Sequence, residues 1–217
     1  MPPLMLFAAG LGTRMGALTA DRPKPMIPVA GRPLIDHALE VARGAGVTRM
    51  VANTHYLPDR LVLPVDVTLS HEPELLETGG GLRAALPLLG ADTVMTLNTD
   101  VVWTGANPLT QLWQAWDPDR MDALLLLLPV AQTLGYRGAG DFSAGPVLVR
   151  GGDHAYLGAQ ILKTEGLAGI PDRKFSLNIL WDRVAAQGRL HGVVHKGGWC
   201  DVGRPESIPL AEALLHG

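Results

Sequence analysis

The amino-acid sequence predicts a three-layer α/β/α sandwich around a mixed, mostly parallel central sheet, and three observations predict it. Short continuous apolar runs at Leu4–Ala9, Arg49–Asn53, Val65–Ser70, Thr93–Asn98 and Ala123–Pro129 have the character of strands covered on both faces. Longer amphipathic stretches at Ile35–Gly44, Gly81–Leu89 and Pro108–Trp116 alternate with them and read as helices. The chain of 217 residues is 47% hydrophobic and carries no Pro/Ser-rich linker, so 1–217 reads as one domain with one substantial core.

Leu4–Ala9 opens the sheet and runs into Gly10-Leu11-Gly12-Thr13-Arg14. Pro33 or Asp36 opens a helix over His37–Arg43, and Gly44 with Gly46 closes it. Trp113 and Trp116 fit one core-directed face of the Pro108–Trp116 helix. After Gly135 the pattern loosens into glycine-rich loops. Ser176 caps a helix over Asn178–Gln187 that Gly188 ends, and Pro205 with Ser207 opens a last helix to His216.

Composition excludes several classes. A net charge of −3 lacks the positive footprint of a nucleic-acid binder. The single cysteine, Cys200, cannot form an internal disulfide and reads as a packed thiol beside Trp199. Pro2–Phe7 is apolar but has no basic segment before it, unlike a signal peptide. The longest apolar run, Ala123–Ala131, is far too short to span a bilayer. The expectation is a cytoplasmic protein without membrane attachment. The seven histidines show no metal-like spacing, and no Gly-x-Ser-x-Gly suggests a serine hydrolase.

The most informative segment is Leu4–Pro33. Glycines directly after a first strand let backbone N–H groups curl around an anion. Arg14 adds a forked guanidinium, and Pro23-Lys24-Pro25 holds a lysine on a stiff segment. The spacing is not a dinucleotide fingerprint, because Met15 stands where a third glycine is needed. Nor does a lysine follow the glycines at once, as in a Walker loop. The whole segment, AAGLGTRM with RPKPMIPVAGRPLI, resembles the signature of the sugar-1-phosphate nucleotidyltransferases. The likeness extends over nearly the whole chain and is greatest to the short types acting on N-acetylmuramate 1-phosphate with UTP or mannose 1-phosphate with GTP.

That resemblance implies a Rossmann-like nucleotidyltransferase fold and a set of roles. Ala9, Gly10, Gly12 and Thr13 would cradle the triphosphate with Arg14, and Lys24 would contact phosphate near the reacting centre. Gly80, in Thr78-Gly79-Gly80-Gly81, would lie against the base, whose ring N–H Glu72 would accept. Asn98 ends a strand that delivers Asp100, and Asp201 lies in Trp199-Cys200-Asp201-Val202-Gly203; the two aspartates would hold Mg²⁺ jointly. Arg204 stands where the family usually has threonine. Gly140, Tyr156, Gly158 and Asn178 would border the sugar. The family's Glu-Lys-Pro phosphate clamp is missing, leaving Arg137, Arg173 and Lys174 as substitutes.

The expected reaction joins an NTP to a sugar 1-phosphate with release of pyrophosphate. UTP with N-acetylmuramate 1-phosphate leads, in a cell-wall recycling role, and GTP with mannose 1-phosphate is the alternative. A glycosyltransferase would normally carry Asp-x-Asp where this chain reads Asn98-Thr99-Asp100. A non-catalytic nucleotide-sensing module remains the alternative of another class.

Overall fold

The computed structural model describes residues 1–145 and 147–217. Its strands are β1 (Leu4–Phe7), β2 (Met50–Thr54), β3 (Val67–His71), β4 (Thr93–Asn98), β5 (Val101–Trp103), β6 (Ala123–Pro129), β7 (His154–Lys163), β8 (Leu190–Val194) and β9 (Trp199–Asp201). Its main helices are α1 (Leu34–Gly44), α2 (Glu77–Leu89), α3 (Pro108–Ala115), α4 (Asn178–Ala186) and α5 (Ile208–His216). The central sheet runs in the order β3-β2-β1-β4-β7-β6-β8. Neighbours among β3, β2, β1 and β4 are parallel, as are β6 and β8, while β7 is antiparallel to both strands beside it. The sheet is therefore mixed.

The strand alternation explains the continuous apolar runs. Leu4 and Leu6 join Ile35, Leu39 and Leu109 in one cluster, whereas Met5 between them joins Leu82, Ala85 and Leu89 in another. In β6, Leu124, Leu126 and Leu128 face the first cluster, and Ala123, Leu125 and Leu127 the second. A strand sandwiched between two helix layers needs apolar residues at every position, because successive side chains point to opposite layers. Each such leucine contributes about 1.5–3 kcal/mol through burial.

A third, smaller cluster holds Met15, Ile27, Val29 and Leu34 against Val102, Cys200, Val202 and Ala211. It packs the segments after β1 onto the β5–β9 ribbon, in which Asp201 pairs with Val101. The Cys200 thiol is fully buried there, and burial pushes its pKa up to about 12.

Two sequence expectations change. Trp113 does not enter the core: it is 45% exposed, because the inward positions of α3 are taken by Leu109 and Leu112. Beyond Gly135 the chain is not mainly loop, since it supplies β7 and β8. Both escaped the apolar pattern: β7 carries Gly158 in a left-handed conformation and a fully buried Gln160. That Gln160 is satisfied by donating to Thr96 Oγ1 (3.1 Å) and accepting from Trp181 Nε1 (2.8 Å).

Candidate active site

The chain leaves β1 for α1 on one face of the sheet, and reaches β4 from α2 on the other. β2 and β4 pair with opposite sides of β1, so the strand order reverses between β1 and β4 and their carboxyl ends mark its switch point. A cavity of about 380 Å³ lies there. Ala8, Ala9 and Gly10 line one side, Lys24 and Pro25 another, and Asn98, Thr99 and Asp100 the floor. Leu75, Thr78 and Ser176 form the far wall. Thr99 Oγ1 donates to the Phe7 carbonyl at 2.7 Å, tying the ends of β1 and β4 together.

The two glycines of the first loop differ in purpose. A side chain at Gly10 would meet nothing within 4 Å, so that space is open to a ligand. Gly12 has φ 64°, and a Cβ there would come within 3.1 Å of Lys24 Cβ. Gly12 thus lets the loop close onto Lys24 and aim it. Thr13 and Arg14 follow in an exposed 3₁₀ turn outside the cavity lining.

Lys24, only 7% exposed, places Nζ 2.5 Å from Asp100 Oδ2. Asp201 lies beside this pair because the Val202 N–H donates to the Asp100 carbonyl at 2.9 Å. Burial first, then the Asp100 charge, raises the Asp201 carboxyl to about 6, against the lowering influence of Lys24 and Arg14. The Arg14 guanidinium approaches Gly203, where a Cβ would lie 3.4 Å from Nη2. The structure thus gathers Arg14, Lys24, Asp100 and Asp201 from three distant stretches of sequence. No group of three or more His, Cys, Asp or Glu side chains forms a metal cage among the described residues. Two neighbouring hard-oxygen donors fit a divalent cation that takes its remaining ligands from phosphate and water.

The base side differs from the sequence reading. Gly79 and Gly80 both donate their N–H groups to the Phe175 carbonyl, at 2.9 and 3.0 Å. A Cβ on Gly80 would strike the Arg173 carbonyl, and one on Gly79 the Phe175 ring. These glycines are therefore required by the chain's own packing, and Gly80 does not line the cavity. Glu72 does line it, but both its oxygens are spent on protein donors, Asn53 Nδ2 and the Leu76 N–H. Leu75 in this loop and Glu77 and Thr78 at the start of α2 line the cavity instead, together with Ser176. An apolar leucine gives no polar signal, which is why sequence inspection passed over it.

On the sugar side, Gly158 (φ 82°) sits at the register shift between β7 and β6, directly over the Asn98 side chain. Tyr156 packs its ring on Trp181 at 4.8 Å and turns its hydroxyl toward Thr96 and Gln160, away from the cleft. Gly140 (φ 119°) is pressed against the Gly152 carbonyl, a backbone requirement. Asn178 is exposed, and its Oδ1 accepts from Arg150 at 3.0 Å. Arg137 and Arg173 pair with Glu206 (2.6 Å) and Glu74 (3.5 Å). Only Gly158 of the four predicted sugar-side residues thus reaches a wall of the cavity, through Asn98.

A doubly wound sheet with an anion loop, two cations and two carboxylates at its switch point defines the class, and the chain belongs to the MobA-like NTP transferase domain family, which matches residues 4–132. It is 41% identical to the N-acetylmuramate alpha-1-phosphate uridylyltransferase of Caulobacter vibrioides, over 97% of this chain and 96% of that protein. It is 33% identical to the enzyme of the same name from Neisseria meningitidis serogroup B, over 97% and 96%. In fold it resembles HddC of Yersinia pseudotuberculosis in complex with GMP-PN, with a TM-score of 0.77 and 23% identity over 98% and 99% of the two chains.

Proposed function

We propose that this protein is a Mg²⁺-dependent uridylyltransferase that joins UTP to N-acetylmuramate 1-phosphate, releasing pyrophosphate and forming the UDP-sugar. One observation carries the reading: Arg14, Lys24, Asp100 and Asp201 converge beside the cavity at the carboxyl end of β1 and β4. The relatives with this name cover nearly the full length of the chain, which supports the choice of sugar and base. The 217 residues act as one domain, and a cytoplasmic cell-wall recycling role goes with the proposal. No helix among the described residues is long and apolar enough to cross a membrane.

In the proposed reaction, a sugar-phosphate oxygen forms a bond to the α-phosphorus of UTP. The bond from that phosphorus to the bridging oxygen breaks, and its electron pair departs with pyrophosphate. The attacking oxygen is already anionic, so no general base is needed. Asp100 and Asp201 would hold the Mg²⁺, which would supply divalent charge to offset that of the phosphates. The Arg14 fork engages non-bridging oxygens, and Lys24 stabilises charge that grows on the leaving group. Gly10 leaves room for the phosphates to approach the backbone, and Leu75 offers an apolar surface to the base.

The test is pyrophosphate release with Mg²⁺ across the four NTPs and N-acetylmuramate, mannose, glucose and N-acetylglucosamine 1-phosphates. Release with UTP and the muramate phosphate is the expected result. Release confined to GTP and mannose 1-phosphate would keep the chemistry and replace the substrates, and nucleotide binding without release from any pair would favour a sensing module.

A further inference from the structure

We infer that Asn53 and Glu72 form a buried positioning pair that sets the separation of the two loops gripping opposite ends of the nucleotide. The inference rests on the nucleotide-binding reading above. Asn53 is 4% and Glu72 1% exposed. Asn53 Oδ1 accepts the Ala8 N–H at 2.7 Å and the Ala9 N–H at 3.3 Å, the last peptides before Gly10. Its Nδ2 donates to Glu72 Oε1 at 2.7 Å, and Glu72 Oε2 accepts the Leu76 N–H at 2.9 Å. One hydrogen-bonded line therefore runs from the phosphate loop after β1, through the end of β2, to the loop after β3 that presents Leu75 and leads into Thr78 at the start of α2.

The backbone around the pair is held as well. The Glu72 N–H donates to the Thr54 carbonyl at 2.8 Å, and His55 Nδ1 lies 2.8 Å from the Glu72 carbonyl. Helix α2 rests on both side chains at Gly81, where a Cβ would collide with Glu72 Oε1 and Asn53 Nδ2. Within this line the carboxamide must both accept and donate, while the carboxylate only accepts. Neither group can change its hydrogen-bonding character alone without leaving a buried partner unmatched.

That asymmetry makes the pair testable by exchange. Glu72→Gln sets an amide N–H against either Asn53 Nδ2 or the Leu76 N–H. Asn53→Asp sets two carboxylates face to face. The double variant Asn53→Asp/Glu72→Gln restores every bond: aspartate accepts from Ala8 and Ala9, glutamine donates to aspartate, and the glutamine carbonyl accepts from Leu76.

The experiment measures UTP and sugar-phosphate kinetics, and amide hydrogen exchange at Ala8 and Ala9 in the substrate-free protein, for both single variants and the double. Each single variant should raise the KM for UTP about tenfold, with kcat within about threefold of the parent protein. Exchange at Ala8 and Ala9 should quicken in Glu72→Gln even though the substitution lies on another loop, and the double variant should recover both readouts. Single variants with unchanged UTP KM and unchanged exchange would overturn the inference. So would a double variant no better than the two defects combined, and it carries the test if a single variant fails to fold. The exchange readout needs no substrate, so a parent protein inert toward UTP would remove the proposed function while the coupling between the loops is still decided.

Discussion

At the carboxyl end of β4, Asp100 and Asp201 face Lys24 and Arg14; at the amino end of the same strand, Asp122 faces Lys163 and Arg189. The second cluster is electrostatically complete. Arg189 donates to both oxygens of Asp122 at 2.8 and 3.0 Å, and Lys163 lies 2.9 Å away. The Arg189 hydrogen bond holds the Asp122 carboxyl below its ordinary value. In the first cluster the opposite holds: Asp201 is driven up to about 6, because burial and the Asp100 charge outweigh the nearby cations. A carboxyl raised chiefly by burial beside a second carboxylate suits a cation as a further partner; one carboxylate gripped by two cations forms a rivet. The same residue types border an open cavity at one end of the sheet and form a closed ion-paired cluster at the other, and their surroundings separate them.

The sharpest way to break this comparison is Asp100→Ala. Turnover should fall by about 10³-fold, as for loss of a group that neutralises transition-state charge. Thermal unfolding should move little, since the variant also relieves repulsion on Asp201. Pyrophosphate release at the parent rate would remove Asp100 from the metal site. Lys24→Met should follow with a loss of about 10²-fold in kcat, read in the same assay under saturating substrates. An unchanged kcat would restrict Lys24 to a structural partner of Asp100.

At the other end, Arg189→Met should leave kcat unaltered and lower the midpoint of unfolding in urea titrations. Its pH dependence has a definite sign. Asp122 has a depressed folded pKa, so its contribution is present above the ordinary carboxylate value of 3.8 and is lost as pH falls through the folded value. The stability gap between the parent protein and Arg189→Met should therefore narrow on acidification from neutral pH, and a gap that widens would contradict the rivet. The smallest effect belongs to Arg137→Ala. Its pair with Glu206 is 63% and 56% exposed, so less than about 1 kcal/mol should be lost in the same titration. A larger loss would mean that exposure is not what separates riveting ion pairs from idle ones.

The parallel half of the fold was legible in the sequence, and the reason lies in individual strands. Ala123–Leu128 is apolar throughout and Thr93–Asn98 is rich in apolar residues because both faces are covered, and both strands emerge with the predicted bounds. β7 was hidden because a left-handed glycine and a satisfied buried glutamine interrupt its apolar character. Within the candidate site, Ala9, Gly10, Lys24, Glu72, Asn98 and Asp100 line the cavity, while Arg14 and Asp201 stand beside it. Asn53 carried no motif, since its importance depends on which backbone groups its carboxamide meets.

By itself the sequence determined the class of fold and singled out the glycine loop and the two aspartates, because each is written in local chemistry: apolar runs, glycines after a strand, carboxylates at strand ends. Only the tertiary structure decided what the triple glycine is for, since clearance around Gly79, Gly80 and Gly81 depends on Phe175, Arg173 and the Asn53–Glu72 pair, all distant in the chain. It also decided that burial raises the Asp201 carboxyl while the Arg189 hydrogen bond lowers that of Asp122. Charge and hydrogen-bond balance are sums over neighbours in space, and a linear pattern does not contain them until the chain has folded.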